Sequence, residues 1–174
     1  MEKGIIICGL NGSGKTTTGR LVAEKLGIKR MDVEDYYFFN SEIPFTVSRT
    51  KDEVRELMWA DIQLHKNYVL SSVGCDWGEN IESTYALAVF LSAPKETRMA
   101  RIDQREIVRF GDRVLEGGDM YEQQKQFRQF VAGRNEEPYR AKVMQLNCPV
   151  LELDSTQPLE EIVEKICNYY ESLS

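Results

Sequence analysis

Short unbroken apolar runs alternate along the chain with stretches in which apolar residues return every three or four positions. Gly4–Cys8, Tyr68–Val73 and Tyr85–Leu91 are runs of the first kind, suited to central strands buried on both faces. Ile28–Val33 predicts a weaker strand, because Lys29 and Arg30 interrupt it, and Pro149–Leu153 predicts the last. Lys15–Leu26 predicts a helix closed by Gly27. Thr50 and Glu53 have capping-box spacing, and Val54, Leu57, Met58 and Ile62 extend that helix to about Lys66. Pro94 opens the next helix, marked by Met99, Ile102 and Ile107; Asp119 and Glu122 predict another capping box, with a helix to Ala132 closed by Gly133. Leu159, Ile162, Val163 and Ile166 give the final helix its apolar face. The polar run Glu34–Arg49, containing Pro44, reads as a connecting loop, and Gly74-Cys75-Asp76-Trp77-Gly78 begins another.

Strands alternating with helices predict right-handed crossovers and a parallel sheet covered on both faces. The expected fold is α/β, a three-layer sandwich of about five parallel strands. A length of 174 residues suits a single domain, 1–174. The glycine- and charge-rich stretch Arg105–Arg140 predicts a mobile helical lid insertion at roughly 106–135. Hydrophobic residues at 42% and charged residues at 29% allow an ordinary core. No apolar run approaches the ~20 residues that span a bilayer, and the residues before Ile5 do not make a signal peptide, so a cytoplasmic protein without membrane attachment is expected. The net charge of -6 argues against broad binding to nucleic acid. Cys8, Cys75, Cys148 and Cys167 are scattered, without a CxxC pair, and His65 is the sole histidine. A zinc site or a histidine-based hydrolase is therefore unexpected, and His65 reads as an exposed helix residue.

Gly9-Leu10-Asn11-Gly12-Ser13-Gly14-Lys15-Thr16 matches GxxxxGK[ST] between an apolar strand and a helix start. Glycines with positive φ let consecutive N–H groups turn inward around an anion, and the helix N-terminus adds positive partial charge. Gly9, Asn11, Gly12, Ser13, Gly14, Lys15, Thr16 and Thr17 are thus expected to hold nucleotide. Lys15 would reach the β/γ-phosphates and Thr16 would offer its hydroxyl to Mg²⁺, making ATP and Mg²⁺ the expected cofactors.

Asp32-Val33-Glu34-Asp35 stands at the C-terminal end of the second predicted strand, the edge where open parallel sheets place ligands. If the strand continues, Asp32 and Glu34 point the same way and Asp35 turns into the loop. A carboxylate there would orient or deprotonate an acceptor hydroxyl, or hold Mg²⁺ through water; Asp32 is the first candidate for both tasks. Arg98, Arg101, Arg105 and Arg109 share one helix face, where like charges repel and only Glu106 is spaced to relieve Arg109. A bound polyanion would turn that liability into binding. Arg113, Arg128 and Arg134 continue the basic supply through the insertion, and Tyr36-Tyr37-Phe38-Phe39 offers rings to stack on a base or sugar.

The chain resembles the P-loop kinases of the nucleoside-monophosphate-kinase-like group, which includes shikimate, gluconate and nucleoside kinases. The likeness rests on Gly9–Thr16, on Asp32-Val33-Glu34-Asp35, on Leu91-Ser92-Ala93-Pro94 followed by Arg98, Arg101 and Arg105, and on Val150–Gln157. It implies a P-loop NTPase-type sheet, a lid closing on ATP, Arg101, Arg105 and Arg109 as lid-side phosphate ligands, and Asp154, Ser155 and Thr156 flanking adenine. Shikimate-kinase-like members carry Asp-x-Asp where this chain has Asp32-Val33-Glu34. They carry GGG where it has Ser71-Ser72-Val73-Gly74-Cys75, and the DGFPR-type sequence of adenylate kinases is absent too. The expected activity is transfer of the γ-phosphate from ATP to a small hydroxyl-bearing acceptor, nucleoside-like in the first instance. Asp32, Glu34, Asp35, Tyr37, Arg49 and Asp76 would surround that acceptor, in a monomer or homodimer. The alternatives are a nucleoside-monophosphate kinase, with Arg49 or Arg55 on the acceptor phosphate, and a nucleotide-binding regulator or slow NTPase.

Overall fold

The computed structural model describes residues 2–173. Five strands, β1 (Lys3–Cys8), β2 (Lys29–Asp32), β3 (Asn67–Ser72), β4 (Tyr85–Ser92) and β5 (Val150–Asp154), form one sheet in the order β2-β3-β1-β4-β5, every pairing parallel. The helices are α1 (Lys15–Leu26), α2 (Val33–Tyr37), α3 (Lys51–His65), α4 (Glu79–Glu82), α5 (Lys95–Phe110), α6 (Tyr121–Ala132), α7 (Glu137–Val143) and α8 (Leu159–Ser172), with a 3₁₀ turn at Gly111–Val114. Alternate residues of the central strands feed two cores. Ile6, Cys8, Leu70, Ala88 and Phe90 meet Val54, Met58 and Ile62 of α3 on one face. Ile5, Ile7, Val69, Leu87, Val89 and Leu91 meet Val22 of α1 and Ile162 and Ile166 of α8 on the other. Burial on both sides is why these strands are apolar without alternation. The result is the expected three-layer α/β sandwich.

Parallel pairing puts every strand's C-terminus on one edge. Cys8 is in register with Ser72, Asp32 with Ser71, and Ser92 with Asp154. Asp32 thus ends two strands away from the β1–α1 turn, and α1 lies close over the strand between them. Gly19 makes that approach possible, since a Cβ there would collide with the Ser71 hydroxyl. The same hydroxyl donates to the Lys15 carbonyl at 3.1 Å.

Several local expectations are corrected. Strand β2 stops at Asp32, and the segment read as loop opens with α2, because the Asp32 carboxylate accepts the Glu34 N–H at 3.1 Å and caps a new helix. Asp32 and Glu34 consequently do not project side by side from a strand. The capping box at Asp119 does not form: Arg113 donates to both Asp119 oxygens at 2.9 and 2.8 Å, and α6 starts with Met120 as its cap residue. Helix α5 runs to Phe110, so the helical insertion starts at Gly111 (φ 55°) rather than near 106. Helices α4 and α7 are additional to the expected elements. Exposed His65 lies in α3 as read, and the four cysteines are free. Among the described residues no helix is long and apolar enough to cross a membrane.

The capping box at Thr50 is complete, with Thr50 Oγ1 accepting the Glu53 N–H and the Glu53 carboxylate accepting the Thr50 N–H at 2.8 Å. Thr50→Ala should cost about 1 kcal/mol, a fall of roughly 2–4 °C in Tm for a domain of this size, read by thermal denaturation.

Candidate functional site

The β1–α1 turn is shaped by glycine. Gly14, the residue before α1, has φ 90°, and Gly12 has φ 81°, conformations that L side chains rarely adopt. Gly12 also lies so near α5 that a Cβ would collide with the Arg98 carbonyl. Two members of the arginine stripe fasten this contact. Buried Arg98 donates to the Asn11 carbonyl at 3.3 Å. Arg101 donates to the Gly12 carbonyl at 3.2 Å, the Ser155 hydroxyl at 3.0 Å and the Ser155 carbonyl at 2.8 Å. Arg101 therefore ties the turn to the loop after β5.

The stripe's other two members reach open space. Arg105 and Arg109 join Arg101, Gly12–Thr18 and Ser155–Gln157 around a cavity of about 430 Å³. Glu106 is not spaced against Arg109 as expected; it is buried and paired with Arg105 at 2.8 Å. Lys15 is half-buried, with a marginal 3.5 Å approach to the Leu10 carbonyl. Burial pushes its pKa down, Glu34 and Asp32 oppose that, and Arg105 adds to it. An ammonium held this way favours an anion, which restores what desolvation removes. The buried Ser13 hydroxyl has no partner. The turn therefore fits a polyphosphate by conformation, charge and an unsatisfied polar atom.

Thr16 Oγ1 donates to Asp32 Oδ2 at 2.7 Å, while Asp32 Oδ1 accepts the Glu34 N–H. Asp32 is 5% exposed and both its oxygens are engaged. A threonine hydroxyl backed by a carboxylate suits Mg²⁺, which takes its remaining ligands from phosphate and water. No cluster of three or more His, Cys, Asp or Glu suited to a metal occurs among the described residues. The donor set thus fits an ion carried by nucleotide rather than an all-protein cage. Asp32→Asn would keep the helix cap but weaken the grip on Thr16. Mg²⁺ titrations of nucleotide affinity should show a loss of about 10–100-fold in apparent metal affinity.

Glu34 faces away from Asp32, into a second cavity of about 480 Å³ that Asn11, Arg105, Glu106, Arg109, Phe38, Phe45, Phe127 and Phe130 also line. Burial and then the Asp32 charge push the Glu34 pKa up; Lys15, Arg105 and Arg109 oppose them. Asp35 lies outside, on Arg30 at 3.4 Å, at the rim of a third cavity that Glu34 and Arg109 share.

Other expected site residues are engaged elsewhere. Tyr37 packs edge-on against Trp77. Arg49 donates to the Tyr36 carbonyl at 2.9 Å and sits over the Phe39 ring. Exposed Asp76 pairs with Lys51 at 3.5 Å and Lys142 at 3.8 Å. None of the three lines these cavities. Asp154 curls onto its own loop, accepting Thr156 N–H at 2.8 Å and Thr156 Oγ1 at 2.7 Å, bonds that hold its pKa down. Thr17 and Thr156 do line the first cavity. Of the insertion's arginines, Arg113 is held by Asp119 and Arg128 by Asp103, whereas Arg134 donates to Asn11 Oδ1 at 2.8 Å and to the Tyr139 hydroxyl at 2.8 Å. Gln123, Phe127 and Phe130 went unread as site residues. Their i, i+4, i+7 spacing marks one face of α6, but nothing local says what that face meets.

A family model described as an AAA domain matches residues 5–109. YqaC, an uncharacterized protein of Bacillus subtilis (strain 168), is 33% identical over 180 residues, covering 99% of each chain. A shikimate kinase of Caldicellulosiruptor bescii is 29% identical over 130 residues, covering 64% of this chain and 73% of its own. Among solved structures, a sugar kinase from Janibacter sp. HTCC2649 superposes with TM-score 0.58 at 16% identity, covering 98% of this chain and 95% of its own. A gluconokinase from Sinorhizobium meliloti 1021 does so with TM-score 0.55 at 15% identity, covering 98% and 93%. These two show the fold. With its glycine turn, acidic strand end and arginine helix all inside the matched span, the chain belongs to the AAA domain family, in its kinase-like P-loop group.

Proposed function

We propose that the protein is an ATP-dependent phosphotransferase acting on the hydroxyl of a small, nucleoside-like acceptor. The observation that carries this reading is the position of Glu34, which lines the aromatic-walled cavity while sharing the field of Lys15, Arg105 and Arg109. A carboxylate there accepts the acceptor's hydroxyl proton as its oxygen attacks the γ-phosphorus and the bond to the ADP oxygen breaks. Asp32, with its oxygens on Thr16 and Glu34 N–H, serves the metal side. Mg²⁺ brought with the nucleotide neutralises charge on the β/γ-oxygens. Lys15, Arg105 and Arg109 bind and orient the same oxygens, and Ser155 and Thr156, held by Arg101 and Asp154, border the adenine side. The segment from Gly111 to Gly133 acts as the lid that excludes water.

The charge balance of the cavity favours a hydroxyl acceptor over a phosphate-bearing one. Arg105 and Arg109 are matched by Glu34 and Glu106, while Arg49 lies on the Tyr36 carbonyl and Arg55 on Asp52 at 3.3 Å. The test is ADP release from ATP with nucleosides, nucleoside monophosphates, gluconate, shikimate and ribose in turn. Stimulation by a hydroxyl compound, with the phosphate appearing on it, is expected. ADP release that no acceptor changes would leave a slow NTPase or nucleotide-dependent regulator.

A further inference from the structure

Two glutamine side chains of α6 stand at the acceptor cavity with buried amide atoms that no protein group satisfies. Gln123 donates from Nε2 to the Pro44 carbonyl at 2.9 Å, which fixes its amide orientation and leaves Oε1 as the buried, unpartnered atom. Gln124 follows it on the same wall with Nε2 buried and unpartnered; it also borders a separate cavity between α5 and α6. Buried polar atoms without partners cost about 1–3 kcal/mol each, so two in one cavity wall are best explained by a ligand that satisfies them. One is an acceptor and the other a donor.

The rest of the wall says what kind of ligand. Phe38, Phe45, Phe127 and Phe130 contribute ring surface to the cavity. Phe45 is held at φ 63°, rare for a bulky side chain, and its ring meets Phe38 and Phe110 edge-on at 5.2 and 6.3 Å. Strain at a residue between two cavities is typical of a ligand clamp. Polyols such as gluconate present hydroxyls on every side and gain little from ring surface. A flat heterocycle gains from the rings and presents its polar atoms along one edge.

We infer that this cavity binds a planar nitrogen heterocycle with N–H beside C=O, the edge of a uracil- or hypoxanthine-type nucleoside, and that Gln123 and Gln124 read that edge. The N–H donates to Gln123 Oε1 and the C=O accepts from Gln124 Nε2. This rests on the phosphotransferase reading for its reaction, but not for its ligand. It also makes α6 a specificity element: Gln123 holds the Pro44 loop while reading the ring, so the walls are assembled around the correct acceptor.

The test compares uridine and inosine with N3-methyluridine and N1-methylinosine, which lack the ring N–H, and with ribose, gluconate and shikimate. Binding is measured by calorimetry beside a non-hydrolysable ATP analogue, and transfer by ADP release. Uridine or inosine should bind at least about tenfold more tightly than its methylated form. In Gln123→Met that preference should collapse to within about twofold, because the partner of the N–H is gone. Gln124→Met should weaken uridine and inosine while retaining the penalty for methylation. A merely structural role would weaken methylated and unmethylated rings alike, and that result would overturn the assignment. So would gluconate, shikimate or ribose binding as well as the nucleosides. Selective nucleoside binding without transfer would uphold the inference and sink the phosphotransferase reading; transfer to a polyol alone would do the reverse.

Discussion

Lys15→Ala should lose both ATP affinity and transfer while leaving the fold at least as stable. The ammonium stands at the start of α1, half-buried, and its one neighbouring acceptor is the Leu10 carbonyl at 3.5 Å. Burial lowers its pKa, so the folded state disfavours its charge, and deleting the side chain removes that cost. The fold then has little to lose, whereas phosphate oxygens lose their cation in ground and transition states alike. Single-turnover transfer should fall by about 10²–10³, equivalent to roughly 2.7–4 kcal/mol, and nucleotide titration should show weakened binding. A variant that melts much earlier would mean Lys15 is structural; one that binds and transfers normally would remove the cradle from the chemistry.

Glu34→Gln should do the opposite to binding, keeping ATP affinity within a few fold while transfer drops by about 10²–10⁴. The distinguishing readout is pH. The Glu34 pKa is raised by burial and by Asp32, and its charged form is the base. Transfer by the native enzyme should therefore rise with pH through an acid limb above the ordinary glutamate range, and the Gln variant should lack that limb. Stability carries the matching sign. A carboxyl whose pKa is raised on folding stabilises the fold most below its unfolded pKa, and that contribution is lost as pH rises through the folded value. Glu34→Gln should accordingly melt higher than the native protein near pH 7, with the advantage shrinking as acid protonates Glu34. An acid limb that survives in Glu34→Gln would pass the base role to another group.

The parts of this protein that depend on neighbours in sequence were legible without a structure. Positive φ at Gly12 and Gly14 is a demand of the chain's own backbone, so GxxxxGK[ST] between an apolar run and a helix defined the cradle. Thr50 and Glu53 satisfy each other within one turn, and strands apolar on both faces announced a covered parallel sheet. The periodicity of Arg98, Arg101, Arg105 and Arg109 likewise placed them on one helix face.

Which partner each polar group takes was decided only by tertiary structure, because a side chain chooses among donors brought from distant positions. Asp119 had the spacing of a helix cap but was claimed by the two-pronged guanidinium of Arg113. Asp32 ended its strand and turned to cap α2 because the order β2-β3-β1 brought Thr16 against its other oxygen, which passed the cavity-facing position to Glu34. The arginine stripe divided in the same way: close approach at Gly12 put Arg98 and Arg101 on backbone carbonyls, while Arg105 and Arg109 were left at the cavity. Gln123 meets Pro44 across 79 residues of chain, a separation at which local propensity carries no information and packing alone determines contact.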